Sequence, residues 1–329
     1  MKKLHLALLA GCAIGFASCG GMSTVESYTT QEDKAKASAT IKLANEEFTS
    51  LLQSKFGSSE VDYDDEETWG PEAELMLAAW NSVYTGDISD FVKKAKEYGV
   101  YDDFKKIVAK YDVKENSRVL RSYTVDSNSR SISSTKFVDG SMRSGDILLC
   151  AGVGENSTSI SYVADTVIPG DWKHAGLYDA QAIDDEYVVF TASNVTDAFL
   201  NGGTSSSGSS SSSSSSSSGI EGAVGYENIA KWTSLPYVKV IRVKGSTAAK
   251  GQSAVNYVKN FTGCEYSLFV TRPTNEKWYC SKVCYRAWLN EGIDIEYNKW
   301  YYPRGYWVTP TDLDDDEDTY YLFGDKTSD

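Results

Sequence analysis

The sequence predicts an α+β protein, in which a small all-helical bundle precedes a domain of short strands and helices. Two observations support this class. Between residues 35 and 121 apolar side chains recur with the period of an α-helix, and after residue 136 they occur in short β-type runs. Residues 122–135 are rich in Ser, Asn and Asp, which predicts a linker between the two regions.

Four amphipathic patterns make up the predicted bundle of residues 35–121. The first places Ile41 and Phe48 on one face. The second begins at Pro71, since proline is favoured in the first turn of a helix. Asp87 is the predicted cap of the third, and the fourth covers about residues 101–111. No pattern in this region indicates catalysis, so we interpret its aromatic residues as core.

Residues 136–325 are predicted to form one α+β domain. A tract of thirteen Ser and one Gly at Ser205–Ser218 interrupts it and cannot bury apolar area, so residues 203–219 are interpreted as a solvated loop. The predicted strands are 146–150, 174–180, 187–192 and 237–243, and the predicted helices are 248–261 and 280–290.

Charge and composition exclude several classes of partner. The chain of 329 residues carries 32 Lys and Arg against 46 Asp and Glu, and this net charge of −14 disfavours nucleic acid. Two histidines are too few for a His-rich zinc site. The acidic stretch 312–318 lacks the glycine of a calcium-binding loop, so we predict a solvated approach to a strand. No metal or organic cofactor is expected.

The N-terminus is typical of an export signal. Lys2 and Lys3 precede an apolar run at 4–17 that is too short to span a bilayer. Cys19 follows small residues, as in a bacterial lipoprotein, which predicts a signal peptide at 1–18, an acylated Cys19 and a tether at 19–34. Cleavage before Cys12 and an ordinary secretory signal remain alternatives. The predicted location is the cell envelope, with the lipid on Cys19 in a bilayer.

Two side chains are candidates for catalysis. Cys280 lies in the first turn of a predicted helix, where free N–H groups and the helix dipole favour a thiolate, which predicts a lowered pKa. His174 begins a predicted strand and is the only histidine left after export. Nucleophilic catalysis by cysteine needs one thiol and one imidazole brought together in space. Cys284, one turn further along the helix, is interpreted as a packed core residue.

Six short motifs in a fixed order resemble the circularly permuted, NlpC-type, papain-like hydrolases of the YiiX/YycO kind. The resemblance covers about residues 136–323 and implies a permuted papain-like fold in which the histidine precedes the cysteine. The motifs are Gly-Asp-Ile-Leu-Leu (145–149), His-Ala-Gly-Leu-Tyr (174–178), Val-Ile-Arg-Val (240–243), Cys-Glu-Tyr (264–266), Tyr-Cys-Ser-Lys-Val (279–283) and Trp-Val-Thr-Pro-Thr-Asp-Leu (307–313).

The resemblance implies a role for each matching residue. Cys280 is the nucleophile and His174 the general base and later acid, while Tyr266 and Tyr279 are predicted to bind substrate. The residue that orients the imidazole is often a Glu in this family, and Thr191 stands at that position here. Ser193 is an alternative orienting residue.

Lys282 departs from the family, which has Glu at this position. A cation in the first helical turn is expected to add to stabilisation of the thiolate near Cys280, although it disfavours the helix end itself.

The implied function is a cell-envelope cysteine amidase or peptidase that forms an acyl-enzyme and acts on peptidoglycan peptides or another amidated component. A lipid esterase or acyltransferase and a catalytically inactive binding lipoprotein are the alternatives. A disulfide among Cys150, Cys264, Cys280 and Cys284 is possible in an oxidising compartment, but its pairing stays open. The oligomeric state stays open as well.

Overall fold

The structure is a computed structural model that describes residues 28–57, 70–124, 141–151, 157–168, 170–183, 186–193, 223–233, 235, 237–267, 275–297 and 307–324. The predicted signal peptide at 1–18, Cys19, the Ser-rich loop at 203–219 and most of the predicted linker lie outside these residues.

The N-terminal region is helical, as predicted. Thr30 and Asp33 form a reciprocal capping box at the start of the first helix, which therefore begins four residues before the predicted boundary at 35. Pro71 is the first residue of the second helix, in agreement with the sequence. The elements are β1 (Tyr28–Thr29), α1 (Gln31–Phe56), α2 (Pro71–Thr85), α3 (Ser89–Glu97), α4 (Tyr101–Lys110), α5 (Val113–Leu120) and β2 (Tyr123–Thr124), and the two short strands pair in parallel.

The C-terminal part of the chain forms a six-stranded antiparallel sheet with helices, which confirms the α+β class. The strand order is β6-β5-β4-β3-β7-β8. The strands are β3 (Ile147–Cys150), β4 (His174–Ile183), β5 (Glu186–Ser193), β6 (Ala223–Asn228), β7 (Val238–Val243) and β8 (Thr319–Gly324). The helices are α6 (Ser157–Val167), α7 (Ile229–Thr233), α8 (Ala248–Lys259), α9 (Cys280–Asn290) and α10 (Pro310–Asp315).

Helices α8 and α9 pack together against strands β4 and β5. The Lys259 ammonium at the end of α8 lies 2.6 Å from the Asp179 carboxylate and 5.6 Å from the centre of the Phe190 ring. In α9, Trp288 Nε1 donates a hydrogen bond of 3.0 Å to the Gly145 carbonyl. Gly145 has a φ of +90° and no room for a Cβ, so this helix approaches the sheet more closely than another residue would permit.

A buried ionic network joins the helical region to the sheet. The Arg121 guanidinium, just after α5, makes two hydrogen bonds of 2.7 and 2.8 Å to Asp165 in α6 and one of 2.8 Å to the Ala151 carbonyl after β3. Lys173, the residue before β4, places its ammonium 3.8 Å from the same carboxylate. Burial would raise the pKa of Asp165, but the two cations hold it below its ordinary value.

Helix α10 replaces the solvated acidic approach predicted at residues 312–318, and that prediction is wrong for three of the acids. Asp312 and Asp316 are buried, and Asp312 forms a capping box with Thr309 at the start of α10. The side chain of Asp314 is only 5% exposed and accepts hydrogen bonds from Lys239 and from Trp172 Nε1. Asp312 thus caps a helix and Asp314 pairs with a cation. These bonds compensate for the removal of the two carboxylates from water.

Loss of Asp165 tests the importance of the buried network. Asp165→Ala leaves the Arg121 guanidinium buried without its carboxylate, so we expect the free energy of unfolding to fall by about 3–5 kcal/mol. Glu115→Ala is the matched control, because it removes the partner of Arg118 in an exposed pair and should cost less than about 1 kcal/mol. Urea unfolding measures both, and equal losses would show that the network contributes no more than a surface pair.

Candidate active site

His174 is the first residue of β4, and its imidazole is completely buried. The ring stacks on the indole of Trp232 in α7, with centroids 5.2 Å apart and planes inclined by 17°. Gly176 makes this contact possible, because a Cβ there would lie 3.0 Å from Trp232 Cζ2 and would overlap Val189. The glycine thus opens a place for the indole on the face of the sheet that carries the imidazole.

Thr191 lies beside the imidazole, at the position that the sequence assigns to the orienting residue. Its Oγ1 is 3.4 Å from His174 Nε2 and donates a hydrogen bond of 2.7 Å to the Ala175 carbonyl. Because the single hydroxyl proton bonds to that carbonyl, Oγ1 can only accept from Nε2–H. In this tautomer Nδ1 is the basic nitrogen of His174.

Cys280 is the first residue of α9, and its thiol accepts a hydrogen bond from the backbone N–H of Ala175, directly after His174. Pairing between β4 and β5 begins only at Leu177 and Phe190. The N–H and carbonyl of Ala175 therefore bond to side chains and not to the backbone of β5. The structure thus brings Cys280 and Thr191 to the backbone of the residue next to His174.

Burial determines the protonation of both groups in this conformation. It raises the pKa of the Cys280 thiol to about 11, although hydrogen bonds from the N–H groups of Ala175 and Ser281 act in the opposite direction. Burial and the nearby positive charge of Lys231 lower the pKa of His174 to about 3. The expected lowering of the Cys280 pKa is therefore wrong here, because desolvation outweighs the start of the helix.

Lys282 is buried in the first turn of α9. Its ammonium donates a hydrogen bond of 2.9 Å to the Lys277 carbonyl and lies 5.5 Å from the centre of the Trp278 ring. These contacts hold the ammonium of Lys282 beside Lys277 and Trp278, which precede the helix. Support of the thiolate by Lys282 stays a prediction.

Tyr266 and Tyr279, the predicted substrate-binding residues, both lie near the start of α9. Tyr266 is buried and forms a bridge with Trp278, two residues before Cys280. The hydroxyl of Tyr279 accepts a hydrogen bond of 3.2 Å from the backbone N–H of Val308. That oxygen therefore holds the segment before α10, while a contact of either tyrosine with substrate stays a prediction.

The four cysteines of the described residues are free thiols. Cys150, Cys280 and Cys284 are buried, and Cys264 is partly exposed. Cys284 lies within the core cluster, which agrees with its interpretation as a packing residue. Across the part of the chain that the structure covers, no group of three or more His, Cys, Asp or Glu side chains could hold a metal ion.

Trp232 and Lys231 are the functional candidates that the sequence analysis missed. Both lie in α7, a helix of five residues that follows the edge strand β6. A helix this short has no periodic pattern by which the sequence could predict it. A large aromatic residue close after a low-complexity loop was the available signal.

The buried imidazole predicts a pH dependence of stability. Above its ordinary pKa near 6.5, His174 is neutral in the folded and unfolded states. Below that value the unfolded chain binds a proton that the folded chain does not, so the free energy of unfolding falls as pH decreases toward 3. Between pH 7 and pH 5 wild type should lose about 2 kcal/mol more than His174→Gln. Urea unfolding at both pH values measures this, and parallel losses would contradict a neutral, buried imidazole.

Comparison with known proteins gives one weak likeness. No known protein family and no curated protein matches the sequence. Among solved structures, the crystal structure of metalloprotein YiiX from Escherichia coli O157:H7 is similar over 56% of this chain and 98% of that chain, with 15% identity and a TM-score of 0.38. A likeness this weak carries no argument about activity or metal binding. Within the described residues, no helix is long and apolar enough to cross a bilayer.

Proposed function

We propose that this protein is a cysteine hydrolase of the bacterial cell envelope that cleaves amide bonds in peptides, such as those of peptidoglycan. Cys280 is the nucleophile, His174 is the general base and then the general acid, and Thr191 orients the imidazole. The proposal includes the permuted papain-like fold that the sequence motifs resemble. It also includes removal of residues 1–18 and attachment to a bilayer through acylated Cys19.

One observation carries the proposal. The thiol of Cys280 accepts a hydrogen bond from the N–H of Ala175, and His174 is the adjacent residue. Nε2 of the imidazole faces Thr191, so the basic nitrogen is Nδ1, which in this proposal takes the thiol proton. A nucleophile, a base and a group that orients the base are the three parts that cysteine catalysis needs.

The reaction begins from a neutral pair, since burial sets the pKa of His174 at about 3 and that of Cys280 at about 11. Nδ1 of His174 takes the thiol proton while Sγ attacks the carbonyl carbon of the amide. The C–N bond then breaks, the imidazolium gives its proton to the leaving amine, and the acyl group remains on Sγ as a thioester. Water, deprotonated by the same nitrogen, hydrolyses the thioester and restores the thiol.

Two alternatives use the same residues differently. An esterase or acyltransferase acting on lipids would also use the Cys280–His174 pair, and the indole of Trp232 against the imidazole gives the site an apolar wall suited to an acyl chain. A catalytically inactive binding lipoprotein is favoured by the burial of both groups, because it keeps the thiol protonated near neutral pH.

Removal of the nucleophile tests the proposed reaction. With muropeptides released from bacterial sacculi as substrate, Cys280→Ala should reduce hydrolysis to background, because it removes the sulfur that carries the acyl group. Cys284→Ala is the matched control, since it removes a second buried thiol from the same helix and should retain most of the activity. Mass spectrometry of the products measures cleavage. Full activity of Cys280→Ala, or none in wild type, would contradict the amidase proposal.

Thr191 provides a second test. Thr191→Val keeps the shape of the side chain but removes the acceptor for Nε2–H, so kcat should fall by about tenfold for one lost hydrogen bond. Thr191→Ser retains the hydroxyl and should stay within about twofold of wild type. The pH profile of hydrolysis separates positioning from a general loss of stability. Equal rates for Thr191→Val and Thr191→Ser would show that the hydroxyl does not orient the imidazole.

A further inference from the structure

The indole N–H of Trp232 is a buried donor without an acceptor. Its Nε1 is shielded from solvent, and no acceptor within the described residues lies within hydrogen-bonding reach of it. Buried polar groups in folded proteins are nearly always paired, and each exception needs an explanation. The donor is therefore either a tolerated defect of packing or a group whose partner arrives with a ligand.

Three tryptophans of the described residues have an acceptor for the same atom. Nε1 donates to Asp314 from Trp172, to the Asn275 carbonyl from Trp278 and to the Gly145 carbonyl from Trp288. These bonds measure 2.6, 3.0 and 3.0 Å, respectively.

Trp80, in α2 of the helical region, also has a buried Nε1 without an acceptor in the described part of the chain. Trp80 therefore offers a comparison for the indole N–H of Trp232, in a helix without candidate catalytic residues.

The donor of Trp232 lies next to the proposed catalytic base. The indole is nearly parallel to the His174 imidazole, with centroids 5.2 Å apart. Cζ2 of the same ring lies 3.0 Å from the place that a Cβ of Gly176 would occupy. Since Cζ2 and Nε1 are attached to the same ring carbon, the donor edge of the indole lies over strand β4.

We infer that the Nε1–H of Trp232 binds a carbonyl oxygen of the substrate other than that of the scissile amide. This inference rests on the proposed function and specifies its substrate. A peptide presents a second carbonyl one residue from the bond that breaks, whereas a simple fatty ester does not. The buried donor thus favours peptide amides over lipid esters, because only the peptide pairs the donor when water is excluded.

Two small electrophiles that differ in one carbonyl test this inference. N-chloroacetyl-glycinamide has a second carbonyl and N-chloroacetyl-propylamine lacks it, while both alkylate thiols by the same reaction. The rate at Cys280 is followed by mass spectrometry of its peptide, and the partly exposed Cys264 in the same sample corrects for intrinsic reactivity. Wild type should prefer the glycinamide at Cys280 by about tenfold, the effect of one hydrogen bond.

Matched variants assign the preference to one donor. Trp232→Phe keeps an aromatic ring against the imidazole but removes the N–H. Faster alkylation of Cys280 by the glycinamide than by the propylamine reagent should then disappear. Trp80→Phe removes an unpaired indole N–H in the helical region and should keep the preference. A preference of equal size in wild type and Trp232→Phe, or none in wild type, would overturn the inference.

A measurement on unmutated protein covers the case in which Trp232→Phe does not fold. In ¹⁵N-tryptophan-labelled wild type, alkylation of Cys280 by the glycinamide reagent should move one indole N–H resonance downfield, as a new hydrogen bond does. The propylamine reagent should leave it in place. Identical spectra after the two reagents would overturn the inference.

Failure of the proposed function gives a different result. If His174→Gln leaves the pH dependence of Cys280 alkylation unchanged, then His174 is not the base and the reaction is rejected, whatever the two electrophiles show. If neither reagent ever modifies Cys280, both proposals are overturned. A normal effect of His174→Gln together with no preference between the reagents overturns the role of Trp232 alone.

Discussion

The separation of strands β4 and β5 at Ala175 is the constraint on which the candidate site depends. The buried N–H and carbonyl of Ala175 must find partners, and the backbone of β5 supplies none at this point of the pairing. Cys280 accepts from the N–H, and Thr191 donates to the carbonyl. The same gap in the sheet therefore fixes the positions of a thiol and a hydroxyl at the residue next to His174, before any requirement of catalysis is considered.

The surroundings of this gap are rigid because charged groups are buried close to it. Lys173 precedes His174 and donates hydrogen bonds to the Ile168 and Gly170 carbonyls, while its pKa falls to about 8 through burial. Its neighbour Asp165 is held in turn by Arg121 from the helical region. Buried charges tolerate little displacement, since each lost partner leaves a desolvated ion. The N-terminal helices thus restrict the start of β4, although they contain no candidate catalytic residue.

Much of the sheet and the nucleophile helix could be predicted from the sequence, because those segments are periodic and bury one face. The patterns place β3, β4, β5, β7, α8 and α9 to within a few residues. Thr191 was identified through the family resemblance, since it stands where the family often has Glu. Helix α6 and Trp232 could not be found in this way. Helix α6 packs against α1, α2 and α5, and Trp232 packs against His174. Such tertiary contacts leave no local pattern in the sequence.

The threonine at position 191 is consistent with the electrostatics of the site. A carboxylate there would be fully desolvated, and it would be stable only beside a protonated imidazole. The indole of Trp232 on one side and the positive charge of Lys231 nearby both keep His174 neutral. A hydroxyl can accept from Nε2–H of a neutral ring without introducing a buried charge. Threonine therefore matches a resting state in which thiol and imidazole are both uncharged, and the ion pair has to form only while the substrate is being attacked.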